Sequence, residues 1–185
     1  MAVADVNRDG LEDVFLGGAK YQGSSILLQN RYGEFSPVQQ EDFQRDSLYE
    51  DIDAVFFDAY GDEWLDLYVV SGGNEYFGDM PEQSDRLYLN EGGTLRRSEG
   101  LPNVFSNGSC VRPCDFDQDG DLDLFVGGRV VSYAYGQIPQ SYLLRNNGNG
   151  QFELVSEEMV PGIQFPGMVS DAQWGNLDED PEMEL

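Results

Sequence analysis

Four short windows of the chain carry acidic and amide side chains at alternating positions. They read DVNRDGLED, DAYGDEWLD, DFDQDGDLD and NLDEDPEME, and they span residues 5–13, 58–66, 115–123 and 176–184. Ca²⁺ takes roughly six to eight oxygen ligands. Side chains at loop positions 1, 3 and 5 can turn three oxygens inward, position 7 can offer its backbone carbonyl, and a carboxylate at position 9 can close the shell. The spacing therefore predicts loops that bind a divalent cation.

The third and first windows meet these requirements best. Gly120 and Gly10 stand at position 6, where the sharp bend favours a positive φ that glycine adopts without strain. The predicted ligands of the first window are Asp5, Asn7, Asp9, Leu11 through its carbonyl, and Asp13. Those of the third are Asp115, Asp117, Asp119, Asp121 through its carbonyl, and Asp123.

The second and fourth windows depart from the pattern. In the second, Tyr60 replaces the third-position ligand and Glu63 stands where glycine is expected, with Gly61 available to shift the turn. In the fourth, Pro181 occupies the bend, and proline cannot adopt a positive φ. The remaining predicted ligands are Asp58, Asp62, Trp64 through its carbonyl and Asp66 in the second window, and Asn176, Asp178, Asp180 and Glu184 in the fourth.

The windows do not fit an EF-hand. That motif needs a glutamate at its twelfth position and two flanking helices, whereas the twelfth positions here are Leu16 and Val126 and the flanks are rich in strand-forming residues. Magnesium prefers a smaller and stricter octahedron with retained waters, so calcium is the expected cation. A single window could be an ordinary acidic turn, but four copies in register argue against that interpretation.

The windows belong to a longer repeat. Each complete window is followed by an apolar run ending in Gly-Gly (VFLGG, LYVVSGG and LFVGG), and then by a second apolar run that turns on Asn or Gly (SSILLQNRYGEF, DRLYLNEGGTL and SYLLRNNGNGQFELV). Short strand candidates, DAVFF, SCVRPC and MVSDAQWG, precede the later windows. No helical periodicity interrupts the pattern. Four antiparallel strands per repeat predict an all-β chain of β-propeller blades.

We expect one propeller fragment over residues 1–185, with repeats at about 1–50, 51–108 and 109–168 and a partial fourth at 169–185. The chain begins and stops inside a repeat, so we expect it to be excised from something longer. Three blades and part of a fourth cannot close the usual ring of about four to eight. The exposed blade edges could therefore pair in a homo-oligomer or leave an open arc.

Composition narrows the function. A formal net charge of −25 repels nucleic acid and anionic membranes. The chain has no histidine, which removes Ser-His-Asp and Cys-His catalysis and most zinc sites. No transmembrane segment is visible, so we expect no membrane insertion. Cys110 and Cys114 lie four apart in an apparent strand, roughly 13 Å from each other, which is too far for a mutual disulfide. We expect both to be small buried residues.

Two stretches, DAVFFDAYGDEWLDLYVVSGGNEY and VRPCDFDQDGDLDLFVGGRV, resemble the FG-GAP or VCBS repeats of integrin α-subunit propellers and many bacterial cell-envelope proteins. More narrowly, they are similar to the repeat region of proteins related to cartilage acidic protein. The resemblance covers essentially the whole chain. It implies a β-propeller with calcium in the loops between the first and second strands, at the matching residues named above. It also implies an extracellular, periplasmic or cell-surface location.

Strand direction alternates, so the acidic loops share one face of the blades and the longest loops and linkers share the opposite face. Seven aromatic residues lie on those long segments, 39–51, 74–85, 130–141 and 161–168: Phe43, Tyr49, Tyr76, Phe77, Tyr133, Tyr135 and Phe165. They could bind a protein or glycan ligand, or they could pack between adjacent blades. Trp64 and Trp174 are interpreted as blade-packing residues.

We expect a non-catalytic binding or adhesion module whose calcium is structural. Two alternatives remain open. Some calcium-containing propellers act on polysaccharides, although no separate pair of catalytic carboxylates stands out here. The chain could also be a self-assembling structural repeat without a ligand of its own.

Overall fold

The computed structural model describes residues 1–76, 78–178 and 183–185. Within them, twelve strands form three four-stranded antiparallel sheets, in the order β1-β2-β3-β4, β5-β6-β7-β8 and β9-β10-β11-β12. The strands are β1 Ala2–Ala4, β2 Asp13–Leu16, β3 Ser25–Gln29, β4 Phe35–Val38, β5 Asp51–Phe57, β6 Asp66–Ser71, β7 Arg86–Asn90, β8 Leu95–Arg97, β9 Gly108–Cys114, β10 Asp123–Gly128, β11 Tyr142–Asn146 and β12 Phe152–Leu154. We call the sheets the first, second and third blades.

The predicted all-β fold of partial propeller blades is confirmed. The first strands of successive blades, β1, β5 and β9, contact one another in sequence, and the sheets do not close into a ring. The second strands β6 and β10 are buried at every residue, because neighbouring blades or loops cover both faces. Strand β2 instead alternates between buried and more exposed residues, as expected when only one face of a strand is covered.

Aromatic and aliphatic side chains fill the spaces between blades. Between the first and second blades, Phe43 makes edge-on contacts with Phe15 and Tyr88, with ring centroids 5.6 and 4.9 Å apart. Between the second and third blades, Phe57 packs edge-on against Phe152 at 6.2 Å. Each fully buried side chain of this size contributes about 1.5–3 kcal/mol to folding. Burial between the blades therefore holds the array together.

Two short helical segments were not predicted. Helix α1 covers Glu41–Arg45, and a single 3₁₀ turn covers Pro81–Gln83. Five residues are too few to show a helical period in the sequence. Helix α1 lies in the linker between the first two blades and places Phe43 in the core between them. None of the described helices is long and apolar enough to cross a membrane.

The strand expected at 168–175 is absent from the described residues, which show only an isolated bridge between Gly175 and Glu184. The first strand of a blade needs a run of hydrogen bonds to a second strand, and one bridge does not provide it. The segment instead packs on the third blade. Val169 donates its N–H to the Gly128 carbonyl at 2.9 Å, and Trp174 donates its indole N–H to the Arg112 carbonyl at 3.0 Å. Trp174 is thus a packing residue, as expected.

Both cysteines are free thiols, as predicted. Cys110 is buried, whereas Cys114 is only half-buried. The expectation of full burial is therefore wrong for Cys114, which ends β9 just before the third acidic window.

Candidate metal sites

The three complete acidic windows connect the first and second strands of their blades and share one backbone conformation. A positive φ occurs at positions 4 and 6 of every window. The values are 59° and 86° at Arg8 and Gly10, 78° and 66° at Gly61 and Glu63, and 61° and 99° at Gln118 and Gly120. Gly61 therefore does not shift the turn. Glu63 itself adopts the left-handed conformation, at a cost of roughly 1–2 kcal/mol.

The aspartate at position 1 organises each loop. Asp5 accepts hydrogen bonds from the N–H groups of Asp9 and Gly10, at 3.0 and 2.7 Å. Asp115 accepts the equivalent bonds from Asp119 and Gly120, both at 3.1 Å. In the second window Asp58 accepts from residues 61, 62 and 63. The loop backbone thus wraps around this carboxylate.

The aspartate at position 9 is buried and bound by two N–H groups, one from position 2 of its own loop and one from the end of the third strand. The donors are Val6 and Gln29 for Asp13, Ala59 and Asn90 for Asp66, and Phe116 and Asn146 for Asp123, at 2.7–3.1 Å. A carboxylate offers about four lone-pair positions. Two of them therefore remain for a cation.

The third window brings its predicted ligands together. Carboxylate oxygens of Asp115, Asp117 and Asp123 all lie within 4.8 Å of one another, and within the described part of the chain no other acidic trio meets this distance. Three hard, anionic oxygens at the mouth of one loop suit an alkaline-earth cation. The donor set of the third window therefore fits the expected metal.

The other predicted ligands of the third window are placed differently. Asp119 turns one oxygen onto the N–H of Asp121, at 3.0 Å. The Asp121 side chain lies against Gly148 in the turn between β11 and β12, where an added Cβ would meet its carboxylate. Its predicted contribution is the backbone carbonyl, which this placement leaves unaffected.

In the first window the third- and fifth-position side chains pair with each other. The Asn7 amide donates to Asp9 at 3.1 Å, and its oxygen accepts the Asp9 N–H at 3.0 Å. Asp9 also accepts the N–H of Leu11, at 2.9 Å. The carboxylates of Asp5, Asp9 and Asp13 are thus less closely gathered than those of the third window.

The second window lacks an oxygen at position 3, because Tyr60 is exposed there. A guanidinium from the first window lies beside this loop. Arg8 donates to the Asp62 carbonyl at 3.3 Å and stacks 4.4 Å from the ring of Trp64. Trp64 is half-buried and contacts the neighbouring blade through this stacking.

The fourth window is described only in part, since Asp180 and Pro181 lie outside the described residues. Glu184 accepts the N–H of Leu177 at 2.6 Å. This bond joins positions 9 and 2, as in the other three windows. Asn176 and Asp178 are exposed.

Burial and neighbouring charge disfavour ionisation at position 9. Burial, together with the charges of Asp117 and Asp119, raises the pKa of Asp123 to about 6, although two backbone hydrogen bonds act in the opposite direction. Burial likewise raises the pKa of Asp66 to about 6. A bound cation would offset this desolvation and repulsion.

The opposite face of the blades holds a cleft of about 490 Å³. We call it the inter-blade cleft, and it is lined by parts of 78–83, 105–107 and 130–142 and by Phe165. Three buried polar side chains, Gln83, Asn107 and Ser132, are joined there by hydrogen bonds of 3.3 Å. The lining is mainly amides, hydroxyls and apolar side chains.

The aromatic residues predicted for this face divide into two groups. Tyr133, Tyr135 and Phe165 are exposed. Phe43 follows the packing alternative, because helix α1 buries it between the first two blades. Tyr49 stacks on Arg86 at 4.3 Å, and Tyr76 is half-buried and donates to the Leu48 carbonyl at 2.8 Å. Phe77 lies outside the described residues.

Sequence reasoning missed two residues next to the acidic loops, Asn90 and Asn146. Both end the third strand of a blade, in the segments LYLN and LLRN. The asparagines were interpreted only as turn residues. Their spacing from the windows, 24 and 23 residues from the position-9 aspartate, gives no sign of contact.

Stacked four-stranded sheets with an acidic loop between the first and second strands define the class as a β-propeller repeat protein. The profile of the FG-GAP-like repeat family matches residues 5–69 and 58–126, which together include the three complete acidic windows. The chain therefore belongs to the FG-GAP-like repeat family. A comparison with curated proteins finds no match.

Proposed function

We propose that the chain is a calcium-binding repeat module without catalytic activity, in which the ions stabilise the acidic loops and the opposite face binds a protein or a glycan. The observation that carries the calcium part is the convergence of Asp115, Asp117 and Asp123 within 4.8 Å. The third window is the strongest site and the first is the next. The second and fourth windows are weak.

Calcium is favoured over magnesium by the form of the loops. The carboxylates come from a flexible loop and a strand end, and calcium accepts irregular geometries with several carboxylates, whereas magnesium demands a near-ideal octahedron. The net charge of −25 further favours uptake of divalent cations.

Calcium binding can be measured by isothermal titration calorimetry and by thermal unfolding in calcium or in chelator. At a calcium concentration about 100 times the dissociation constant, one site stabilises the fold by about 2.7 kcal/mol. A domain of this size gains roughly 2–4 °C per kcal/mol. We therefore expect the melting temperature to rise by about 5–10 °C for each occupied site.

Asp117→Ala should abolish binding at the third window. Glu158→Ala is the matched control, since it removes one exposed carboxylate outside the windows. Calcium binding lost equally in both variants would point to net charge alone. An unchanged melting temperature in calcium would refute the proposal.

The ligand is proposed to bind at the inter-blade cleft. Neutral amides and hydroxyls beside exposed aromatic rings suit hydroxyl-rich sugars or a peptide backbone, and none of the cleft-lining residues named above is cationic. Screening against glycan and protein arrays tests this part. Phe165→Ala, at an exposed ring that lines the cleft, should weaken any binding found, and so should Tyr133→Ala and Tyr135→Ala on the loop beside it. Tyr32→Ala, at an exposed tyrosine in the β3–β4 turn, should not. Unchanged binding in all three variants on this face would refute this placement.

The proposed location is extracellular or in the cell envelope, and the proposed role is adhesion. The family relationship supports both. Surface labelling of intact cells that express the parent protein tests the location, and labelling only after lysis would contradict it.

A further inference from the structure

Asn90 and Asn146 are buried at equivalent places in the second and third blades. Their exposed fractions are 4% and 1%. The side-chain amide of Asn90 donates to the Leu65 carbonyl in its own acidic loop, at 3.1 Å, and to the Val6 carbonyl in the loop of the first blade, at 2.9 Å. One side chain therefore holds two consecutive acidic loops.

The same residue also contacts a predicted metal ligand. The backbone N–H of Asn90 donates to Asp66 at 2.7 Å. On the other side, the N–H of Val6 donates to Asp13 at 3.1 Å, while its carbonyl accepts from Asn90. A continuous path of hydrogen bonds through Val6 and Asn90 thus joins the position-9 carboxylates of two blades.

Asn146 repeats the arrangement one blade further on. Its amide donates to the Ala59 and Leu122 carbonyls, at 3.1 and 3.3 Å, and its backbone N–H donates to Asp123 at 2.8 Å. The Ala59 carbonyl also accepts the N–H of Gly150, at 3.0 Å. The recurrence argues that the contact belongs to the repeat and is not a local accident.

We propose that Asn90 and Asn146 are positioning residues for the predicted calcium sites and couple each acidic loop to the blade that follows it. This inference rests on the proposed calcium binding. Each asparagine side chain binds two carbonyls. One directly precedes the position-9 aspartate of its own blade, and the other belongs to the residue whose N–H binds the position-9 aspartate of the preceding blade. Groups that orient metal ligands in this way typically change metal affinity by about 10–100-fold when removed.

The two asparagines are expected to act on different calcium sites, which makes the coupling testable. The Asn90 side chain supports the loop of the first blade through the Val6 carbonyl, and the Asn146 side chain supports the loop of its own third blade through the Leu122 carbonyl, which precedes Asp123. Gly10 and Gly120 donate their N–H groups to Asp5 and Asp115, so their amide NMR signals report the first and third sites separately. Calcium titrations of ¹⁵N-labelled protein can then resolve both sites in the intact chain.

We expect Asn90→Ala to raise the calcium midpoint at Gly10 by about tenfold and leave Gly120 unchanged, and Asn146→Ala to do the reverse. Asn147→Ala is the control, since this neighbouring side chain is exposed in the same turn. It should change neither midpoint. If an alanine variant fails to fold, the milder Asn90→Ser and Asn146→Ser variants carry the same expectation.

Two outcomes would overturn the inference while leaving calcium binding intact. Equal loss at both glycines in either variant would show a general loss of stability, and no change at either would show that the amides do not position the ligands. Absence of any calcium response at Gly10 and Gly120 in the unmodified protein would instead reject the proposed calcium binding, and this inference with it.

Discussion

A buried ion pair at the junction of the first two blades offers a sharp test of how the array is held together. Arg86 in β7 contacts Asp51 in β5 at 2.5 Å, and their side chains are 1% and 4% exposed. Asp51 also accepts hydrogen bonds from the Gly18 N–H, at 2.7 Å, and the Ser24 hydroxyl, at 2.5 Å, both in the first blade. Replacing Asp51 by alanine would therefore leave a guanidinium buried without its counter-charge.

The expected cost of Asp51→Ala follows from this burial. Removing one partner of a buried pair destabilises a protein by about 3–5 kcal/mol, because the remaining charge is uncompensated. At roughly 2–4 °C per kcal/mol for a chain of this size, the melting temperature should fall by about 6–20 °C. Urea and thermal unfolding at a fixed calcium concentration, followed by circular dichroism, would measure the change.

Two variants serve as controls for this experiment. Glu153→Ala breaks the Arg145–Glu153 pair, whose side chains are 36% and 48% exposed, and should cost only about 0–1 kcal/mol. The double variant Asp51→Ala/Arg86→Met removes both charges and should recover part of the loss. The reasoning fails if Asp51→Ala costs no more than Glu153→Ala, or if the double variant is less stable than Asp51→Ala alone.

Two further predictions concern pH and glycine. The raised pKa values of Asp66, Asp85 and Asp123, each about 6, mean that the folded state holds these protons more tightly than the unfolded chain. In chelator, stability should therefore fall as the pH rises from about 4 to 6, and saturating calcium should remove part of that slope, as urea unfolding at each pH would show. At the second glycine of a Gly-Gly pair, a Cβ on Gly128 would lie 2.2 Å from the Gln140 carbonyl oxygen, so Gly128→Ala should cost about 1–3 kcal/mol. Gly175→Ala should be nearly neutral by thermal unfolding, because nothing lies within 4 Å of its Cβ position.

The blade and its acidic loop could be predicted because both depend on contacts close in sequence. The window 115–123 supplies the position-1 and position-9 carboxylates together with the glycine that bends the loop. The apolar runs on either side predicted the strands that flank it. These signals repeat three times within the described residues, so the register of each copy supports the others.

The remaining features depend on contacts between distant residues. Phe43 sits in a five-residue helix, where no period is visible, and only its neighbours in two blades explain its burial. The link from Asn146 to Ala59 spans 87 positions. The conformation of Glu63 could not be predicted for a different reason. The loop imposes a positive φ of 66° on a residue type that disfavours it.

The asparagine contacts have a consequence for how the repeat should be divided. The sheet is a convenient structural unit, but the first and second acidic loops are each held by an asparagine at the end of the third strand of the next sheet. The smallest segment that contains a loop with all of its supporting contacts therefore begins in one blade and ends after the third strand of the following one. For the first loop, that segment is about 2–93. A chimaera cut between the first two sheets would separate the first loop from Asn90, whereas a cut after about residue 93 would keep the two together.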